Sequence, residues 1–130
     1  MILLDTHVII WMASGDPRLS VKAQTAIHEA RREDRGLAIS DFTLIELSLL
    51  YRRNRIALAI GPEDFLPEVE RRFIILPITA NIALQAYALP ASYPKDPADR
   101  IIGATALTED IPLLTADRAI RNSKTVPTIW

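Results

Sequence analysis

Five short apolar runs, separated by stretches with helical periodicity, restrict the fold of this chain more than any other feature. They are Ile2 to Leu4, Leu37 to Ile39, Phe73 to Leu76, Pro112 to Thr115 and Val126 to Ile129. Runs this short and this apolar suit strands covered on both faces, the condition of a parallel sheet. The stretches between them read as helices. His7 to Met12 is helical and is broken by Gly15-Asp16-Pro17. Ser20 caps a helix from Val21 to Glu33, and Gly36 ends it. Helical stretches follow at Phe42 to Arg53, Pro62 to Arg72, Ala80 to Leu89 and Ala98 to Thr108, with a short turn at Arg118 to Arg121. Alternation of this kind predicts an α/β fold, a short parallel sheet flanked by helices. Residues 1–130 read as a single domain, without repeat, linker or low-complexity tract.

The apolar runs also exclude several classes. None reaches membrane-spanning length before a charge interrupts it, and no basic segment precedes the first, which argues against a secretory signal. There are no cysteines, so disulfides, thiolate catalysis and cysteine–zinc sites are ruled out, and a cytoplasmic location is expected. With four glycines in 130 residues there is no phosphate-cradling loop, and no serine–histidine–acid set is present.

In parallel α/β sheets ligands bind beyond the carboxyl ends of the strands, so the residues there matter most. Asp5 ends the first run, Ser40 and Asp41 follow the second, and Asp117 follows the fourth. Glu46 is the only charge within Phe42-Thr-Leu-Ile-Glu-Leu-Ser-Leu-Leu50, and Asp99 immediately precedes the apolar stretch after Arg100. Each acid taken alone also reads as a helix cap. Thr43 and Glu46 have capping-box spacing, and Asp96-Pro97 is an N-cap followed by proline. Together they imply more. Acids in apolar surroundings need partners, and Arg100 and Arg118 are too few for four carboxylates. A divalent cation meets that need, and an all-oxygen ligand set suits Mg²⁺ or Mn²⁺ rather than zinc. His7 and His28 have no metal-ligand spacing. His28 is expected to face solvent, and His7 stands close to Asp5.

The formal net charge of −1 does not advertise a nucleic-acid binder. Arginines nevertheless cluster around Arg32, Arg53 and Arg72. With Arg100 beside Asp99, they are the candidates for contacts to a phosphate backbone.

In this setting the motifs carry a resemblance. Leu3-Leu4-Asp5-Thr6-His7-Val8, the stretch Ser40 through Glu46, Lys95-Asp-Pro-Ala-Asp-Arg-Ile-Ile-Gly-Ala-Thr-Ala106 and Leu113-Leu-Thr-Ala-Asp117 resemble, in order, the four motifs of PIN-domain proteins. They are most similar to the VapC-type toxins, and Val126-Pro-Thr-Ile-Trp130 is similar to the closing strand of a subgroup of them. The resemblance implies a PIN-like three-layer sandwich and Mg²⁺- or Mn²⁺-dependent hydrolysis of RNA. By position, Asp5, Glu46 and Asp99 match the three principal acids of the metal site, and Asp117 matches the more variable fourth. Asp96 matches an acid common in the subgroup, while Thr6 and Thr115 match hydroxyls beside the site. The usual phenylalanine before the third acid is Ala98 here, and a usual alanine is Gly103. The resemblance further implies a small antitoxin protein as partner and a homodimer.

Two other readings remain open on sequence. A small-molecule phosphatase would use the same acids, but it would want a second acid two residues after the nucleophile, where this chain has His7. A non-catalytic binding module would use the acids as caps only.

Overall fold

The computed structural model describes residues 1–130. Five strands, β1 (Ile2–Leu4), β2 (Leu37–Ser40), β3 (Ile74–Leu76), β4 (Leu113–Leu114) and β5 (Thr128–Ile129), form one sheet in the order β3-β2-β1-β4-β5. Every neighbouring pair is parallel. The helices are α1 (Thr6–Ser14), α2 (Val21–Arg32), α3 (Asp41–Arg52), α4 (Pro62–Arg72), α5 (Ala80–Ala88), α6 (Pro97–Thr108) and α7 (Arg118–Ser123). None is long and apolar enough to cross a membrane.

Side chains alternate across a strand, so consecutive apolar residues feed two cores. Leu4, Leu37, Ile39 and Leu114 point to one face, where Val8, Ile27, Leu47, Phe65 and Val69 of α1 to α4 cover them. Leu3, Ala38 and Leu113 point to the other, under Ile102 and Ala106 of α6 and Ile120 of α7. Uninterrupted apolar runs were therefore the correct sign of a sheet buried on both sides, and the three-layer arrangement follows. Each buried Leu or Ile contributes roughly 1.5–3 kcal/mol relative to exposure.

The sheet order sets the position of the functional face. From β1 the chain builds outward through β2 to β3; it then returns to the far side of β1 to lay down β4 and β5. The adjacent strands β1 and β4 thus send their following connections in opposite directions. A crevice opens between such loops at the carboxyl edge, and Asp5 and Asp117 flank it.

Helix boundaries differ from the sequence reading by one or two residues, with one consequential case. Helix α3 begins at Asp41, and its cap is Ser40, whose hydroxyl accepts from the Phe42 amide. The capping box read at Thr43 and Glu46 does not form. An earlier cap moves both residues a turn into the helix, and their side chains turn inward.

Candidate metal centre

Asp5 is 5% exposed, and both of its oxygens are engaged. Oδ1 accepts from the Thr6 amide at 2.8 Å and Oδ2 from the Thr115 hydroxyl at 2.7 Å. The Thr115 hydroxyl in turn accepts from the Asp117 amide at 3.1 Å. Asp117 caps α7 by accepting from Ile120, and Asp96 caps α6 by accepting from Asp99. The capping expectation for Asp5, Asp96 and Asp117 thus holds. A helix that starts at the carboxyl edge brings its cap to the crevice, so capping and site membership arise from the same geometry.

Glu46 reaches the site from the second turn of α3. Its Oε1 accepts from the Thr6 hydroxyl at 2.6 Å, and that hydroxyl lies 3.3 Å from the Thr43 hydroxyl. Asp99 arrives from the first turn of α6, half-buried. Burial pushes its carboxyl up to about 7, and the charges of Asp5, Asp96, Asp117 and Glu46 add to the rise. Burial also raises Glu46. The Thr6 hydroxyl pulls it back, and Asp5 and Asp96 add to the rise. Five carboxylates therefore share one field, with Asp99 at its centre. Among the groups acting on Asp99 and Glu46 there is no cation.

That electrostatic debt is what a divalent cation removes. The side chains as they stand do not close three ligands around one point. This matches the habit of Mg²⁺, which keeps several waters and takes only one or two carboxylates directly. An all-oxygen donor set, mutual repulsion and the lack of a basic partner make the residues a fit for such an ion.

Arg32, Arg53 and Arg72 are not brought to this cluster. Each lies at the carboxyl end of a helix, and α2 and α4 lead directly into the starts of β2 and β3. They therefore lie toward the amino edge of the sheet, opposite the acids. Arg72 is ion-paired with Glu68, and Arg32 lies 3.5 Å from Glu33. Arg100 is near the site, but its guanidinium donates to the carbonyls of Ala86 at 3.1 Å and Leu89 at 3.4 Å, closing the end of α5. The exposed cations next to the acids are Lys95, before Asp96, and Arg118, after Asp117. Neither forms an ion pair. Their adjacency to two motif acids was the signal available in the sequence, and arginine clustering obscured it. Asp41, also at the carboxyl edge, accepts from the Ile78 amide beyond β3 and stands outside the cluster.

A parallel sheet with this strand order and a carboxylate crevice at its switch point defines the class. The PIN domain family matches residues 2–124, and the chain belongs to it. It is 38% identical over 123 residues to Ribonuclease VapC22 of Mycobacterium tuberculosis (strain ATCC 25618 / H37Rv), covering 95% of this chain and 92% of that protein. Among solved structures, it is similar to a toxin–antitoxin complex from Klebsiella pneumoniae, with TM-score 0.63 and 25% identity over 90% of this chain and 87% of that one. FitAcB from Neisseria gonorrhoeae shares the fold, with TM-score 0.68 and 23% identity over 98% and 96% of the two chains. Dependence on a divalent metal is general among ribonucleases of this family.

Proposed function

We propose that the chain is a Mg²⁺- or Mn²⁺-dependent ribonuclease and the toxin of a toxin–antitoxin pair. The observation that carries this reading is the convergence of Asp5, Glu46, Asp96 and Asp117 on Asp99 without a compensating cation. Its support from relatives is the likeness to a named ribonuclease along 95% of the chain. Asp5, Glu46, Asp99 and Asp117 hold the ion. When bound, it stabilises charge developing on a phosphoryl oxygen.

The protein's own groups do the remaining work. Thr115 and the Thr6 amide fix the Asp5 carboxylate from both sides. Thr6 fixes one oxygen of Glu46, and the other is free to accept a proton from a water attacking the phosphodiester. Lys95 and Arg118 flank the crevice and contact backbone phosphates on either side of the scissile bond. Because they bind charge and not bases, specificity comes from RNA shape or unstacked bases. A small antitoxin protein would be the partner, by analogy with the Klebsiella complex.

The phosphatase reading has no observation in its favour. Its nucleophile would be Asp5, and both oxygens of Asp5 are occupied by internal donors.

The test is cleavage of structured RNA by purified protein with Mg²⁺, with Mn²⁺ or with EDTA, beside an Asp99→Asn control. Cleavage in metal alone, absent from the control, is expected. Cleavage that persists in EDTA, or equally in Asp99→Asn, refutes the reading.

A further inference from the structure

We propose that His7 is a positioning residue of the acid cluster, whose ring nitrogen pins the corner carrying Asp117 against the helix that follows Asp5. This rests on the metal-nuclease reading above. The corner Thr115-Ala116-Asp117 is held at three points. The Thr115 hydroxyl donates to Asp5 Oδ2, and the Asp117 amide donates to that same hydroxyl. The Ala116 amide, between them, donates to His7 Nε2 at 3.0 Å.

A ring nitrogen that accepts an N–H carries no proton, so a neutral His7 holds its proton on Nδ1. That nitrogen lies 3.6 Å from Asp5 Oδ2, the oxygen already bonded to Thr115. One imidazole thus faces the first acid and bonds the loop of the fourth. Its plane is set from outside the crevice. Trp11, one turn further along α1, packs with its ring centroid 4.8 Å away, and Trp130, just after β5, lies edge-on at 6.3 Å. Trp11 and Trp130 also pack on each other at 5.7 Å. The aromatic group is a backstop that fixes the imidazole, and the imidazole fixes the spacing of two acids across the switch point. Groups that orient ligands in this way typically change metal affinity about 10–100-fold when removed.

A purely packing role for the ring would need no acceptor at Nε2, and that difference makes the proposal testable. His7→Phe keeps a ring between the tryptophans and removes the acceptor. His7→Gln sets an amide oxygen the same number of bonds from Cα as Nε2. Mn²⁺ is titrated calorimetrically into wild type and both variants, and kcat and KM for RNA cleavage are measured alongside. The imidazole nitrogen shifts of wild type are read by NMR without metal, which requires no variant to fold. The expected result is an Nδ1-protonated neutral ring, about tenfold weaker Mn²⁺ binding in His7→Phe, and recovery of most of that loss in His7→Gln. The RNA defect of His7→Phe is expected in kcat with KM little changed. An Nε2-protonated neutral ring overturns the proposal. So does equal Mn²⁺ affinity in wild type and His7→Phe, or an equal deficit in both variants. A wild type that takes up no Mn²⁺ instead overturns the metal-nuclease reading, and this proposal with it.

Discussion

Gly103 leaves the space that Tyr93 fills. A Cβ at position 103 would collide with the Tyr93 hydroxyl and lie 2.5 Å from its Cζ. That buried hydroxyl donates to the carbonyl of Asp99 at 2.7 Å, so the tyrosine seats the first turn of α6. The residue that departs from the family's usual alanine is therefore one half of a matched pair, and the other half bonds to the backbone of a site acid. Gly103→Ala should lower stability by about 1–3 kcal/mol through overpacking, in urea denaturation. It should also weaken Mn²⁺ binding, because the displaced hydroxyl releases Asp99. An unchanged denaturation midpoint would show that the ring moves aside freely.

The raised carboxyl of Asp99 makes metal-free stability depend on pH. Its folded value of about 7 lies above the ordinary 3.8, so the folded state binds the proton more strongly than the unfolded state. The contribution is present in full below about 4 and is lost as pH rises through about 7. Without metal, the melting temperature should therefore rise on going from pH 8 to pH 5 by this group's share, and Asp99→Asn should flatten that slope. With Mn²⁺ the sign reverses, because the ion expels the proton, and affinity should increase from pH 6 to pH 8. A slope unaffected by Asp99→Asn would refute the assignment.

Glu46→Gln separates structure from chemistry. The amide oxygen of glutamine can still accept from the Thr6 hydroxyl, so the melting temperature without metal should change little. RNA cleavage should fall at least about 100-fold, since a glutamine neither takes a proton nor neutralises a cation. Activity within a few-fold of wild type would remove Glu46 from the site.

Self-association follows from surface rather than from the site. Tyr51 packs internally on Phe65 at 5.8 Å and Trp11 on Trp130, which takes them off the list of sticky side chains. On α3, Ile45 and Leu49 stay 61% and 42% exposed and lie four residues apart on one face. An apolar stripe of this kind marks an interface. Sedimentation velocity should give a dimer for wild type at micromolar concentration and a monomer for Ile45→Glu with Leu49→Glu. A wild-type monomer would refute it.

The strands were legible because burial on both faces leaves a simple mark, an apolar run a few residues long. The caps were legible at Asp5, Asp96 and Asp117 because Asp before a helix has a local cause. Glu46 was legible only as a charge out of place. Its link to Thr6 spans forty residues and leaves no local pattern. The capping box failed for a related reason, since Ser40 competed for the same helix start and sequence gives no means of ranking the two. The arginines misled because clustering along the chain says nothing about which edge of a sheet a helix end reaches. Tyr93 and the Ala116–His7 bond were beyond reach, being contacts of packing and of backbone.

The separation of Arg32, Arg53 and Arg72 from the acids gives the molecule an electrical polarity, with one pole at each edge of the sheet. A polyanion drifting in from solution feels a torque that presents the wrong pole first. A cation seated among the carboxylates weakens that torque, so metal loading governs how RNA is oriented at encounter as well as what happens after it docks. Low salt, which lengthens the range of these forces, would then favour unproductive capture over turnover in metal-poor protein.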